Sequence, residues 1–283
     1  MISVAGGIGA ALAFSATTLC YARLARMIGP YVVLSWVMLV GLAITAPLVA
    51  VTGVPRGLDS GSVGWLAVAG FGNVGGLVLT YKALRSGKVA VIAPIVSTEG
   101  AIAAVISVVA GEKLAAASAV TLALIVTGIL LASIGHDLPG AEAHLDTLRI
   151  IVLPVLSASA FGASLYAVGR VGRELPIAWA LLPARAVGVG LVALPLALTS
   201  RLHLPRPAIP FVLAGGTCEV IGIISFTIGA RHGIAVTAVL ASQFGALAAF
   251  AGFLLFHERL TRVQVLGVAT IAVGVAVLTG LQT

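Results

Sequence analysis

The sequence predicts an all-α membrane protein with ten transmembrane helices in two inverted five-helix repeats. Three observations lead to this fold class: an apolar composition, apolar blocks of helical length, and a match between the two halves of the chain. Hydrophobic residues occupy 60% of the 283 positions, and charged residues only 9%. Such a chain cannot cover a water-facing surface with polar groups, which excludes a soluble globular protein.

The apolar blocks are long enough to cross a membrane as helices. A spanning helix needs about 20 mostly apolar residues, whereas an outer-membrane barrel would show roughly ten-residue stretches of alternating polarity. Charges and Pro or Gly turns separate the blocks, which cover approximately residues 4–22, 31–52, 62–84, 89–110, 115–134, 149–169, 176–199, 209–230, 234–256 and 262–280. We therefore expect residues 1–283 to form one transmembrane domain.

A shift of 146 residues aligns the two halves of the chain. The matched pairs include Pro30 with Pro176, Gly70 with Gly216, Gly76 with Gly222, Arg85 with Arg231, Glu112 with Glu258, and Gly128 with Gly274. The repeats cover residues 1–134 and 149–283, and the polar segment 135–148 is predicted to link them. Because each repeat has an odd number of spans, the second enters the membrane from the opposite side. Inverted repeats are typical of secondary transporters, whose substrate site lies where the repeats meet.

The charged and histidine residues do not indicate another class of protein. Lys and Arg exceed Asp and Glu by 16 to 9, but they lie in small groups at the ends of apolar blocks, which is typical of loops that anchor a membrane protein. No phosphate-binding loop, nucleophile motif or metal-ligand spacing is present. We therefore expect no enzymatic activity, no metal, no cofactor and no nucleic-acid partner. The expected partners are a small-molecule substrate and the lipid bilayer, and the chain is expected to be a monomer.

Two segments resemble the fourth and ninth spans of the EamA-like branch of the drug/metabolite transporter superfamily. They run from Gly87 to Gly111-Glu112-Lys113-Leu114, and from Gly233 to His257-Glu258-Arg259-Leu260. In that family a Glu, a basic residue and Leu close the span. The resemblance covers nearly the whole chain, and it implies a ten-helix exporter of amino acids or related metabolites in the cell inner membrane.

Two glutamates inside predicted spans are the main candidates for function. An ionisable group in hydrocarbon costs about 2.5–3.5 kcal/mol and normally faces a bundle interior or a cavity. Glu99 follows Pro94, a predicted helix break, and a carboxylate there suits a proton, a cation or a substrate ammonium group. Glu219 lies in the eighth span, at the position that matches Asn73. Both glutamates are candidates for proton coupling, and the alternative for each is an ion pair that only joins helices.

Further polar and aromatic residues are candidates for substrate binding. Arg185, deep in the seventh span, is expected to pair with Glu219 or Glu99, either as a structural bridge or as a clamp for a substrate carboxylate. Asn73 and Lys82 are also candidates for substrate binding. The alternative role for Asn73 is a hydrogen bond between helices, and for Lys82 it is a side chain that extends to the membrane interface. The remaining candidates are Ser97, Gln243, Tyr81, Trp36, Tyr166 and Phe226.

For Glu112 and Glu258 the sequence favours a structural role over a role in substrate binding. Each lies shortly before a predicted span, and the dipole at a helix N-terminus stabilises a carboxylate. We therefore predict that both are helix caps.

These features predict a secondary transporter that moves a small metabolite through a central cavity by alternating access. Acidic and basic interior residues fit a zwitterion such as an amino acid, and the resemblance favours export. The alternatives are a carrier for drugs, polyamines or purine-like compounds, and a membrane protein without solute transport, such as a component of a lipid-carrier flippase.

The orientation is predicted in two ways that disagree. The loops after the odd-numbered spans hold ten Lys and Arg residues against five in the others, so the positive-inside rule places both termini outside. The family resemblance implies cytoplasmic termini, and we follow the resemblance because inverted repeats dilute the charge bias.

Overall fold

The described part of the chain is built from helices. The structure is a computed structural model, and it describes residues 1–86, 95–133 and 144–247, with isolated positions between Val263 and Leu281. The first half contains α1 (Ile2–Ile28), α2 (Pro30–Thr52), α3 (Ser60–Ser86), α4 (Glu99–Val109) and α5 (Ala116–Ser133). The second half contains α6 (His144–Glu174), α7 (Ile177–Gly188), α8 (Leu194–Leu198), α9 (Ile209–Ala230) and α10 (Ile234–Ala241). A π-helical segment, Val189–Ala193, joins α7 to α8, and a 3₁₀ turn, Arg206–Ala208, precedes α9.

Six helical stretches within the described residues are long and apolar enough to cross a membrane. They are Ile2–Ala25, Pro30–Thr52, Ser60–Ala83, Val152–Glu174, Ile177–Leu198 and Arg206–Ala230. The bounds of α9 coincide with those of the predicted eighth span, whereas α6 begins at His144 rather than at 149. The predicted fourth and ninth spans are each interrupted by a turn, which makes α4 and α10 short. Pro94, Glu258 and most of the tenth predicted span lie outside the described residues.

Glycines and one aspartate set the ends of the first helices. Gly29 and Gly53 have φ angles of 79° and 64°, which favour glycine, and they end α1 and α2. Pro30 then begins α2, where its missing N–H costs no helical hydrogen bond. Asp59 begins α3, because its Oδ1 accepts the amide of Ser62 at 2.7 Å. These local signals place the short loops between apolar helices.

The helices of one half pack against those of the other in matching pairs. α1 packs extensively along α9, and α3 packs in the same way along α6. In the first pair the ring of Phe14 lies against Gly222, and in the second the ring of Phe161 lies against Gly76. A Cβ atom at either glycine would collide with the ring, so the close approach of the helices requires glycine.

Candidate substrate-binding site

Arg185 occupies a narrow space between α7 and α2. Its side chain is 1% exposed, and its guanidinium Nη1 donates to the sulfur of Met38 at 3.4 Å. The guanidinium lies directly over Gly41, where a Cβ atom would overlap with Nε. Nε itself has no hydrogen-bond partner among the described residues. The absence of a side chain at Gly41 therefore makes room for Arg185.

Glu219 of α9 neutralises Arg185. Nη1 of Arg185 donates to Oε1 of Glu219 at 2.7 Å, and the hydroxyl of Tyr21 on α1 donates to Oε2 at 2.6 Å. Tyr81 lies close enough to interact electrostatically with this carboxylate. We call Arg185, Glu219 and Tyr21 the buried polar cluster. It joins α1, α7 and α9.

The energetics of the buried polar cluster favour a functional interpretation. Removing two charges from water costs several kcal/mol per ion, and a pair of well-packed apolar residues is often as stable or more stable. Ionisable residues inside membrane proteins are rare and are associated with substrate or ion pathways. We therefore treat the buried polar cluster as a candidate binding site.

Glu99 lies at a turn that interrupts the predicted fourth span. Residues 95–96 are helical, Ser97 and Thr98 form a turn, and α4 starts at Glu99. Glu99 is 8% exposed, and its carboxylate has no ion-pair or hydrogen-bond partner within the residues that the structure describes. An ionised carboxylate without a partner is costly in apolar surroundings. Glu99 is therefore suited to hold a proton or a cationic group.

The predicted ninth span has an equivalent turn at Ser242 and Gln243, after which residues 244–247 are helical. The amide of Thr98 donates to the Ile95 carbonyl at 3.2 Å, and the amide of Gln243 donates to the Leu240 carbonyl at the same distance. These bonds relate the two turns by 145 residues, not 146. The structure therefore matches Gln243 with Thr98, whereas the 146-residue shift of the sequence places Gln243 on Ser97.

The two turns lie against each other. Gly100 packs on Ser242 and on the carbonyl of Ala238, and Gly245 packs on the hydroxyl of Ser97. Each contact has room for a glycine but not for a Cβ atom. The Nε2 atom of Gln243 is buried beside this crossing, and it has no hydrogen-bond partner within the part of the chain that the structure describes. The crossing thus combines interrupted helices, close backbone contact and an unsatisfied polar group.

The other predicted site residues are distributed over several environments. The Oδ1 atom of Asn73 is buried and has no hydrogen-bond partner in residues 1–86, 95–133 and 144–247. Tyr81 packs edge-on against Tyr31 with ring centroids 6.4 Å apart. Tyr166 and Phe226 lie in the apolar core. The structure does not bring all of these side chains to one point.

Two candidates are found near the surface of the protein. Trp36 donates its indole N–H to the carbonyl of His203, in the loop before α9, at 3.2 Å. Lys82 is exposed. This exposure agrees with the alternative that its side chain extends to the membrane interface.

Glu112 caps a different helix from the one that follows it in sequence. Its carboxylate accepts the backbone amides of Ile234 and Ala235 at the start of α10, at 3.1 and 3.3 Å. The next helix in the chain, α5, begins only at Ala116. The carboxylate is thus bound to a helix of the second half, which a local sequence pattern does not indicate.

Sequence reasoning did not identify Tyr21 as a site residue. A signal was present in α1, where Thr17 and Tyr21 lie four residues apart and therefore share a face. Both bond to α9: Thr17 donates to the Gly215 carbonyl at 3.3 Å, and Tyr21 donates to Glu219. A polar pair at this spacing in an apolar helix indicates a contact with a polar neighbour.

Apolar helices around a buried ion pair, together with interrupted helices, are typical of multi-pass membrane transport proteins. Residues 1–134 match the EamA-like transporter family, and this match supports membership of the drug/metabolite transporter superfamily. Known members of this family are transporters of small molecules.

The fold is also similar to that of a solved crystal structure. The two align with a TM-score of 0.80 over 99% of this chain and 96% of the other, at 18% sequence identity. At that identity the similarity concerns the fold alone. No curated protein matches the sequence.

Proposed function

We propose that the protein is a secondary transporter that exports small zwitterionic metabolites, in particular amino acids, through a central cavity by alternating access. The observation that carries this proposal is the ion pair between Arg185 and Glu219, buried with an Nη1 to Oε1 distance of 2.7 Å. A guanidinium and a carboxylate are the groups that recognise the carboxylate and the ammonium group of a zwitterion. The chain therefore carries internally the same pair of charges that its substrate would offer.

Substrate binding would exchange partners within the buried polar cluster. The substrate carboxylate would bind Arg185, and its ammonium group would bind Glu219 beside the Tyr21 hydroxyl. Because every charge keeps a partner of opposite sign, this exchange avoids the cost of leaving a buried charge unpaired. Glu99, which has no such partner in the described residues, is the proposed proton site that couples export to a gradient.

Alternating access requires two halves that can rock against each other, and we propose that these are the inverted repeats 1–134 and 149–283, joined by 135–148. The proposal is supported by the matching helix pairs and by the two equivalent turns. The family match also ends at residue 134, where the first predicted repeat ends. Interrupted helices at the interface of inverted repeats are typical substrate and coupling-ion sites in transporters.

The location follows from the same proposal. The chain is a multi-pass membrane protein, and we place it in the cell inner membrane as a monomer with both termini in the cytoplasm. Labelling a cysteine introduced at Thr283 with a membrane-impermeant thiol reagent tests this orientation. Reaction from the outside only would reverse it.

A second candidate function is a carrier for organic cations such as polyamines. The observation that favours it is Glu99, which is buried without a positively charged partner in the described part of the chain. A cationic substrate would supply that partner directly.

Flux measurements distinguish the two functions. The purified protein is reconstituted in liposomes, and efflux of labelled amino acids and of labelled putrescine is measured against protein-free liposomes. Amino acid efflux that is saturable and accelerated by a proton gradient supports the first proposal. Efflux of putrescine alone supports the second, and efflux of neither substrate contradicts both.

A further inference from the structure

Glu112 is presented by a turn that ends α4. Gly111 has a φ angle of 100°, its amide donates to the Val108 carbonyl, and the amide of Glu112 donates to the Ser107 carbonyl, both at 3.0 Å. This is the Schellman motif, which requires a residue with positive φ and so favours glycine. The motif ends the helix, and the carboxylate of Glu112 reaches the start of α10.

Four donors converge on the Glu112 carboxylate. The donors are the hydroxyl of Ser107 at 2.5 Å, the amides of Ile234 and Ala235 at 3.1 and 3.3 Å, and Nη2 of Arg173 at 3.2 Å. The two amides belong to the first turn of a helix, where N–H groups lack helical partners and the dipole favours negative charge. We call Glu112 and these donors the Glu112 latch. Since α4 belongs to the first proposed repeat and α6 and α10 to the second, the latch joins the two halves.

Two arginines extend the latch to the end of α9. Nε of Arg173 donates to the Ala230 carbonyl at 3.0 Å, and Nε of Arg231 donates to the Gly172 carbonyl at 2.6 Å. A cavity of about 600 Å³ borders both arginines and residues 174–176. The side chain of Arg173 is 34% exposed, so water can replace its partners at little cost. The bonds of Arg173 can therefore break without leaving its own charge buried and unpaired, whereas Glu112, with a side chain 14% exposed, must gain contact with water when they break.

The latch lies on the side of the protein that carries the N-terminus. The hydroxyl of Thr237, in the first turn of α10, donates to the Ser3 carbonyl at 3.2 Å. α10 has only eight residues and ends at the turn formed by Ser242 and Gln243. A short helix that ends at a turn can tilt without moving the rest of its span, provided that its first turn is released.

We propose that the Glu112 latch is a gate contact, which holds the transport pathway closed on the side of the protein that carries the N-terminus. The latch is formed while the pathway is closed on the side of the N-terminus, and it breaks when that side opens, which separates the start of α10 from the end of α4. This inference rests on the proposed alternating access between the two halves. It assigns to Glu112, Arg173 and the first turn of α10 a conformational role that a helix cap alone would not have.

Distances between spin labels on the two sides of the latch test the proposal. The exposed residues Lys113 and His232 are replaced by cysteine for labelling, in a protein that carries Cys20→Ser and Cys218→Ser. Pulsed dipolar spectroscopy in lipid nanodiscs is expected to show a short and a long distance. Glu112→Gln should shift their ratio about tenfold toward the long distance, because a hydrogen bond to a charged group contributes a factor of that order or more.

The chain offers matched variants for this experiment. Arg173→Gln removes the same ion pair from the other side and should act in the same direction, which guards against a folding defect specific to Glu112→Gln. Arg170 and Glu174 form an exposed pair at 3.1 Å near the same end of α6. Arg170→Gln and Glu174→Gln are therefore controls, and they should leave the two populations unchanged.

The outcomes separate the gate from the transport function. A single distance in the protein with native Glu112, or populations that neither Glu112→Gln nor Arg173→Gln changes, would overturn the gate. Amino acid efflux is measured on the same preparations. Shifted populations in a protein that transports no amino acid would support the gate contact and refute the proposed function. Normal amino acid efflux with unshifted populations would refute the gate contact and support the proposed function.

Discussion

The two halves of the molecule share their helix packing and differ in the charges that they bury. The second half carries Arg185 and Glu219, and the 146-residue shift places Leu39 and Asn73 at the equivalent positions of the first half. Within the described residues, the Oδ1 atom of Asn73 has no hydrogen-bond partner, whereas both carboxylate oxygens of Glu219 accept hydrogen bonds. The fold therefore does not need an ion pair at this depth. This difference between the halves supports the proposed role of Arg185 and Glu219 in substrate recognition.

The interrupted helices show the opposite distribution of charge. Glu99 follows the turn of the first half, and the equivalent residue after the turn of the second half is Phe244. The ring of Phe244 packs edge-on against Phe14, with centroids 6.4 Å apart. One half thus places an acid where the other places an aromatic ring, and we expect each charged site to have a separate role.

The largest expected effect comes from removing one member of the ion pair. Arg185→Leu leaves the carboxylate of Glu219 buried without a counter-charge, and it should destabilise the protein by about 3–5 kcal/mol. The double variant Arg185→Leu with Glu219→Asn introduces the residues of the first half, so it should recover most of the loss in melting temperature. Neither variant should export amino acids. Thermal unfolding in detergent and liposome efflux measure the two effects, and wild-type efflux by the double variant would contradict the recognition role.

A smaller loss of stability is expected from a methyl group at the crossing of the two turns. Gly100→Ala places a Cβ atom against Ser242 and the Ala238 carbonyl, and overpacking of this kind costs about 1–3 kcal/mol. Gly75 of α3 is the matched control, because a Cβ atom there meets no neighbour within 4 Å. Gly75→Ala should stabilise the helix by about 0.5–1 kcal/mol. Equal melting temperatures for the two variants would show that the crossing is loose.

Glu99→Gln should reduce transport and leave the protein folded. Glutamine keeps the volume and most hydrogen-bonding capacity of the side chain but cannot ionise, so only a role that requires a charge or a proton is lost. If protons are coupled, the pH dependence of efflux should also become flatter. Efflux that matches the wild type at every pH would make Glu99 structural and would transfer the proton-coupling hypothesis to Glu219.

The smallest effect is expected at the start of α3, which only the first half caps with an aspartate. Hydrogen bonds from the amide and hydroxyl of Ser62 hold the pKa of Asp59 below its ordinary value of 3.8. Because folding lowers this pKa, the stabilisation by the cap is complete at pH values above the ordinary pKa of 3.8. It is lost as the pH falls through the lower pKa of the folded state. Asp59→Ala should lower the melting temperature slightly at pH 7, with a difference that shrinks in acid. Asp59→Asn, which keeps the acceptor oxygen, should have a weaker effect at pH 7.

The helices were predictable because the membrane imposes a length and an apolar composition on each span. The bounds of α9 therefore follow from the sequence. The turn at Ser97 and Thr98 does not, because it is defined by contact with the other half through Gly100 and Ser242. A local sequence pattern indicates the secondary structure of a segment and whether it faces lipid or water. It does not indicate which other segment packs against it.

The candidate substrate-binding site, like the fold, was only partly predictable from the sequence. Sequence reasoning identified Arg185 as an interior charge and left Glu219 and Glu99 as possible partners, and the structure shows Glu219. It did not find Tyr21, which lies 198 residues from the carboxylate that it binds. The depth of a polar residue can be estimated from its place in a span, whereas its partner depends on which helices are neighbours.

The two turns have a further consequence for the proposed internal repeats. From Gly87 to Ser97 the first half has one residue more than the second half has from Gly233 to Ser242. In a continuous helix, a deletion rotates every later side chain by about 100°, which would turn an interior face toward lipid. At a turn, the rotation can be absorbed locally, and the later match of Glu112 with Glu258 shows that the offset returns to 146. Interrupted helices are thus places where the two proposed repeats can differ in length and still keep the same residues facing inward.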